Sequence, residues 1–173
     1  MPTPNSPSDV SVSKFKSALE CVDFECEDKK YVDFIKNKDE AEALQSDNTS
    51  ITYLFRVGSE VAGYVTLAMG SLKKERVSKE VRSSHRFKEI PCLLLGQLAR
   101  KSSYSGRGLG PIMVAWVFDT ASRLSEEVGC RYVIVDAEPG KAEHYESRLW
   151  FKALPKRKGD KTTLMYFNLG KKS

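Results

Sequence analysis

Apolar positions change period several times along the chain, and each change predicts an element. Ile51 to Val57 alternates and is rich in β-formers, which predicts a strand. Val57-Gly-Ser-Glu60 predicts a tight hairpin turn, and Val61 to Met69 its partner strand. Cys92 to Leu98 is an apolar run broken only at Gln97, as in a buried strand. From Leu109 the spacing becomes three and four: Leu109, Ile112, Met113, Trp116, Val117, Ala121, Leu124 and Val128. That is one face of an amphipathic helix, with Gly129 as its C-terminal stop. Arg131 to Ala137 reads as a second buried strand, parallel to the first through the helix crossover. Pro139-Gly140 turns the chain, and Lys141 to Leu149 predicts a short helix. Trp150-Phe151 is expected to land that helix on the core, and Thr162 to Leu169 alternates as a last strand. Upstream, Asp28 to Gln45 holds two short helical patterns: Tyr31, Val32, Phe34 and Ile35, then Ala41 to Leu44. The order implies an α/β (α+β) fold, a mixed and mostly antiparallel sheet flanked by helices.

The 173 residues suit one domain with a real core, expected over 13–170. The start, Met-Pro-Thr-Pro-Asn-Ser-Pro-Ser, lacks a signal-peptide pattern. Residues 1–12 are expected to be a disordered leader. No apolar run is long enough to span a membrane, so the expected setting is cytoplasmic, with no membrane partner. Cys92 and Cys130 sit in apolar strands as core thiols. Cys21 and Cys26 could pair, but no spacing fits a metal site and only two histidines occur, so no metal is expected.

Charge divides the chain. Residues 1–50 carry 6 Lys/Arg against 11 Asp/Glu, a net of −5; residues 51–173 carry 22 against 12, a net of +10. A basic body suits polyanionic partners, CoA phosphates or nucleic acid, although a solvated surface has the same signature. Ser71 to Pro91 concentrates this charge in a long excursion between strands, with Lys73, Lys74 and Arg76 at its start. Two readings stand: a basic flap over a substrate groove, or a solvated loop.

The first strand and the long helix meet in Leu98-Ala-Arg-Lys-Ser-Ser-Tyr-Ser-Gly-Arg-Gly-Leu-Gly110. A helix N-terminus offers unpaired N–H groups and a positive dipole end. Glycines remove the Cβ atoms that would hold an anion away. A phosphate is a natural ligand of such a turn, though many such turns bind nothing. It is not a Walker A loop, because no Lys-Ser/Thr pair follows, and its glycines are too tightly spaced for a dinucleotide fingerprint.

Ser105-Gly-Arg-Gly108-Leu-Gly110 does resemble motif A of the GNAT acyltransferases, Gln/Arg-x-x-Gly-x-Gly/Ala, with Ser105 in place of the leading Gln/Arg. Further segments, in order, resemble the toxin branch of GNATs that acetylates aminoacyl-tRNA. These are Phe24-Glu-Cys26 with Tyr31-Val-Asp-Phe-Ile35, Tyr53-Leu-Phe with Val61-Ala-Gly-Tyr-Val-Thr-Leu67, Leu95-Gly-Gln-Leu-Ala99, and Ala142-Glu-His-Tyr-Glu-Ser-Arg-Leu-Trp-Phe151. The branch usually has Asp where Lys101 stands, Gly where Trp150 stands, and often Arg where Gln97 stands. The resemblance implies acetyl-CoA as co-substrate, held by Leu98, Ala99, Arg100, Ser105, Gly106, Arg107, Gly108, Leu109 and Gly110. It implies Tyr145 as the acid that protonates the leaving thiolate. It also implies charged tRNA as acceptor, an antitoxin partner and a homodimer.

The chemistry itself can be stated from first principles. Acyl transfer from a thioester to an amine needs a gripped donor, a polarised carbonyl, a neutral amine and a protonated leaving group. The end of the Cys92–Leu98 strand could pair with amides of the donor as an added strand would. A phenol with an ordinary pKa of roughly 10 stays protonated at neutral pH; the other reading of Tyr145 is a packing aromatic. An α-amine, with a pKa of about 7.7–8.0, needs no strong base. Candidate acceptor contacts are Lys73, Lys74, Arg76 and Gln97. Two alternatives remain: a GNAT enzyme for a small amine or protein N-terminus, and a non-catalytic GNAT-fold module binding RNA or protein.

Overall fold

The computed structural model describes residues 9–170. Its strands are β1 (Val10–Lys14), β2 (Ile51–Val57), β3 (Glu60–Lys73), β4 (Glu89–Arg100), β5 (Tyr132–Ala137), β6 (Lys152–Ala153) and β7 (Thr163–Asn168). They form one sheet in the order β1-β2-β3-β4-β5-β7-β6. The β4–β5 pair is parallel, and β1–β2, β2–β3, β5–β7 and β6–β7 are antiparallel. The helices are α1 (Lys29–Lys36), α2 (Ala43–Ser46), α3 (Lys79–Ser84), α4 (Leu109–Glu127) and α5 (Ala142–Arg148). The mixed, mostly antiparallel α+β architecture expected from the pattern is the one that forms. Among the described residues, no helix is long and apolar enough to cross a membrane.

Two compact units divide the chain: one runs to Ala68 and takes in Gly96–Met113, the other holds Met69–Leu95 and the chain from Val114 on. In the first, Phe15, Phe24, Phe34, Ile35, Leu54 and Tyr64 share one apolar cluster. Asp28 caps α1 by accepting from the Lys30 N–H. The Tyr64 ring meets Phe24 edge-on, and its buried hydroxyl donates to the Tyr31 carbonyl at 2.7 Å. That bond satisfies the phenol, which would otherwise be costly to bury. The β2–β3 hairpin turns at Gly58, whose φ is 60°. Its register shifts at Phe55/Arg56, so Ala62 is an extra residue that bends β3. Thr52 and Thr66 stand opposite each other, fully inside, and their hydroxyls bond at 3.1 Å.

Gly63 sits where β3 crowds its neighbours. A Cβ there would lie 2.8 Å from Met113 Sδ and 2.9 Å from the Ala99 carbonyl oxygen. The bare glycine thus lets β3, the end of β4 and the first turns of α4 close on one another.

In the second unit, Leu72, Val77, Ile90, Cys92, Tyr132, Ile134 and Leu154 form a second apolar cluster. Phe118 of α4 stacks on Phe167 of β7 with centroids 3.7 Å apart, and Phe151 joins them at 5.4 Å. Of the expected α4 stripe, Leu109, Met113, Val117 and Ala121 are buried, Ile112, Trp116 and Leu124 are half-buried, and Val128 is exposed beyond the helix end. Gly129, at φ 78°, stops the helix as expected.

Three expectations need correction. Residues 10–12, assigned to the leader, belong to β1, which pairs with β2 from Val10↔Val57 onward; residues 1–8 lie outside the described residues. The Val-Ser-Val-Ser alternation was masked by the adjoining Pro/Ser run. The charged excursion is shorter than Ser71–Pro91: β3 runs to Lys73, β4 starts at Glu89, and α3 lies between. Leu72 and Ile90 point inward while charged neighbours point out, so these strand ends read as polar. Trp150 does not land on the core; it is 55% exposed, and only Phe151 is buried. The two-residue β6 was too short to carry a pattern. Cys92 and Cys130 are buried thiols as expected, and Cys21 and Cys26, whose pairing was left open, are free.

Replacing Gly63 by alanine pushes a methyl against a carbonyl that cannot move without the strand. The expected loss is about 1–3 kcal/mol, read in urea unfolding as a lower midpoint with an unchanged slope.

Candidate functional site

The glycine turn starts where β4 stops. Arg100 ends the strand; the Lys101 N–H donates to the Ala62 carbonyl (2.8 Å) and the Ser102 N–H to the Glu25 carbonyl (3.0 Å). A short 3-10 turn, Ser102–Tyr104, buries the Tyr104 ring completely. Gly106 and Gly108 then adopt φ 70° and 75°, a left-handed backbone that side chains resist. A Cβ at either glycine would meet nothing within 4 Å, so the space over the turn is open. α4 begins at Leu109, and its first described bond is Ile112 N–H to the Gly108 carbonyl at 3.5 Å. The N–H groups of Leu109 and Gly110 have no intrahelical acceptor, and Pro111 contributes none.

Two guanidinium groups flank this turn. Arg100 Nη2 donates to Ser105 Oγ at 3.0 Å, while its Nε is buried with no partner. Arg107 lies over the Tyr104 ring at 5.8 Å, and its Nη1 is likewise buried without a partner. Buried donors left unsatisfied are costly, so these two atoms call for an acceptor. Leu98, Ala99 and Arg100 lie past the β4–β5 pairing, which covers Cys92–Leu94 alone. The nine residues expected to hold the donor thus lie at the strand end (Leu98–Arg100), in the turn (105–108) and at the helix start (Leu109 and Gly110), with Lys101 and the Ser102–Tyr104 turn between them.

A carboxylate fixes that stretch, and sequence reasoning missed it. Glu60, at the β2–β3 hairpin, accepts from Lys101 Nζ at 2.5 Å and from the Tyr104 hydroxyl at 2.7 Å. The hydrogen bonds from Lys101 and Tyr104 hold its carboxyl below the usual carboxylate range. Burial first, and then the bond to Glu60, push the Tyr104 phenol up to about 12. The signal was the unusual Lys101, but its partner lies 41 residues away.

Tyr145 belongs to the second unit. It is the buried residue of α5, with its ring edge-on to Phe151 at 5.6 Å. Its carbonyl accepts from the N–H groups of Leu149 and Phe151, both at 3.2 Å, which folds the chain after α5 back onto it. His144 is exposed, as adjacency on a helix requires. Glu138 is tied to Lys141 Nζ at 2.9 Å and Glu143 is exposed, so neither is set up as a base. The flap cations divide. Lys73 is exposed, but Lys74 Nζ donates to the His85 carbonyl. Arg76 donates to the Pro155 carbonyl (3.3 Å), pairs with Asp160 (3.6 Å) and has a side chain only 12% exposed. Gln97 is half-buried on β4. No group of metal-ligating side chains occurs among the described residues.

No family model matches the chain. Solved structures do. A tyrosine-to-phenylalanine mutant of KacT superposes with a TM-score of 0.81 at 23% identity, covering 93% of this chain and 95% of that one. AtaT complexed with acetyl-methionyl-tRNAfMet gives 0.80 at 21%, covering 92% and 95%. AtaTR bound with AcCoA gives 0.72 at 22%, covering 94% and 95%. The chain has the GNAT fold.

Within the GNAT fold two departures gain a local reason. Lys101, where the toxin branch has Asp, is paired to Glu60. Trp150, where the branch has Gly, holds φ 62°, a backbone suited to glycine. Its ring meets Phe118 edge-on at 6.4 Å, which offsets part of that strain.

The lowered Glu60 pKa sets a pH dependence. Its contribution to stability is full above the unfolded carboxyl value and is lost as pH falls through the depressed folded value. Glu60→Gln is therefore less stable at neutral pH and loses less on acidification, as thermal unfolding from neutral pH down to the acid limb will show.

Proposed function

We propose that this chain is an acetyl-CoA-dependent N-acetyltransferase whose acceptor is the α-amine of an aminoacyl-tRNA. One observation carries the reading: a helix start with two left-handed glycines under open space, flanked by unpartnered buried donors of Arg100 and Arg107. Those residues fit a pyrophosphate. The amides of Leu109 and Gly110 would face it along the helix dipole, with the two guanidinium groups neutralising its charge. Leu98, Ala99 and Arg100 offer backbone N–H and C=O groups to the pantetheine amides, as an added strand would. The bound donor supplies an activated thioester.

Tyr145 would act as the acid. As the amine nitrogen attacks the acyl carbon, the carbon–sulfur bond breaks and its electron pair leaves on sulfur. The phenol gives that sulfur its proton and regains one from water, and the new amide loses its extra proton to solvent. Neither Glu138 nor Glu143 is needed as a base, because an α-amine with its ordinary pKa of about 8 already has a useful neutral fraction near neutral pH. This favours an aminoacyl group over a lysine side chain.

The acceptor and partners are supported by the company the fold keeps. AtaT is seen with acetyl-methionyl-tRNAfMet, and as a toxin bound to the C-terminus of the antitoxin AtaR with acetyl-CoA; KacTA is seen with DNA. The net of +10 over residues 51–173 suits a tRNA. On this reading the chain is a toxin acting in the cytoplasm, with an antitoxin partner and a homodimeric form. Because Lys74 and Arg76 are engaged internally, the tRNA contact falls to Lys73 and the rest of the basic surface rather than to all three.

The test is transfer of labelled acetyl into a pool of aminoacylated tRNA, beside the same pool deacylated. Label is expected in the charged pool alone. Tyr145→Phe should lower the rate about 10²-fold or more and leave acetyl-CoA affinity unchanged. Equal labelling of both pools, or full activity in the variant, contradicts the assignment.

A further inference from the structure

A pocket of about 540 Å³ lies wholly inside the second unit, between the end of the charged excursion, the starts of β4 and β5, the end of α4 and the chain after β7. Its size is ordinary for a small-molecule site, roughly 300–1,000 Å³. It shares no residue with the glycine turn, the end of β4 or α5, so it stands independently of the acyl-transfer reading.

Its polar groups are set by the fold. The Arg131 N–H donates to the Pro91 carbonyl (2.8 Å), and the Leu169 N–H donates to the Arg131 carbonyl (3.0 Å). The Arg131 guanidinium lies directly against Gly170, where any Cβ would collide with it. Arg131 Nε is buried without a hydrogen-bond partner. His85 is fixed through its backbone, its carbonyl accepting from Lys74 Nζ and its N–H donating to the Arg82 carbonyl. Its Nε2 is also buried without a partner. Arg86 adds a second guanidinium at the exposed rim. The one opposing carboxylate on the wall is Glu89, which accepts from Ser71 Oγ at 2.6 Å.

We propose that this pocket binds a nucleoside phosphate. Arg131, Arg86 and His85 supply the donors a phosphate needs. The remaining wall is apolar, with Ile90, Pro91 and Leu169, and beside it stands Phe87, an aromatic ring 78% exposed. A bare anion leaves that wall uncovered, whereas a base stacks on an aromatic face. The end of α4 adds a third requirement. Its last carbonyls lack intrahelical donors and carry partial negative charge. Ser125 of that end lines the pocket, and because its hydroxyl donates to the Ser122 carbonyl at 2.6 Å its oxygen is left to accept from a sugar hydroxyl. Phosphate, sugar and base thus each have a matching wall, whether the nucleotide is free or ends an RNA strand.

The glycine turn also invites a nucleotide, so location must be read directly. The experiment is amide chemical-shift mapping on the full chain with adenosine monophosphate, adenosine, inorganic phosphate and a 5′-phosphorylated trinucleotide. The monophosphate is expected to move the amides of Phe87, Gly129, Arg131 and Gly170. Adenosine and phosphate alone should bind there about tenfold more weakly or worse. The exposed-site variants Arg86→Ala and Phe87→Ala, which leave the fold intact, should each weaken binding about threefold or more, and Arg131→Gln about tenfold. A trinucleotide about tenfold tighter than the monophosphate at the same amides identifies a strand end, and equal affinity identifies the free nucleotide. No shift at these amides with either nucleotide at about 10 mM, or binding there unaltered by Phe87→Ala and Arg131→Gln, overturns the proposal.

Discussion

A left-handed backbone at Gly106 and Gly108 is the constraint on which the rest of the site rests. It lets a strand hand over to a helix within a few residues and leaves the helix start bare of side-chain atoms. Any larger residue at φ 70° or 75° meets the Cβ–carbonyl crowding that costs about 1–2 kcal/mol. The open space above the turn is a direct consequence of that choice.

Charge is arranged around this constraint with some economy. Glu60 engages Lys101 and Tyr104, so its carboxylate holds the turn rather than repelling an anion. Arg100 and Arg107 are left with buried donors lacking acceptors. A folded protein seldom keeps such donors without reason, and an anionic ligand over the turn accounts for both. The same reasoning, applied to Arg131 and His85, points to a second anionic ligand of different shape.

What the sequence made legible follows from the range of the interactions involved. The strand–turn–helix unit, the hairpin at Gly58 and the α4 stripe are local in sequence, and each forms where the period and the glycines put it. β1 was lost because five alternating residues beside a Pro/Ser run carry little signal. The flap was overdrawn because outward-facing charges at the ends of β3 and β4 hide inward-facing Leu72 and Ile90. Arg76 reads as a free cation in one dimension; only folding brings Pro155 and Asp160, about eighty residues on, to it. The Glu60–Lys101 pair is equally long-range. Trp150 gave a signal of another kind, since it stands where the toxin branch that the chain resembles usually has Gly, and its φ of 62° is a glycine-like backbone rather than a core contact.

The proposed grip of the turn and its two arginines on an acyl donor is what the rest of the site depends on. Calorimetric titration of acetyl-CoA into the full chain, the parent beside Arg107→Gln, addresses it most directly. Binding to the parent, weakened about tenfold in the variant with thermal unfolding unchanged, is the predicted result. Equal affinity in both proteins, or no binding to a folded parent, would contradict it.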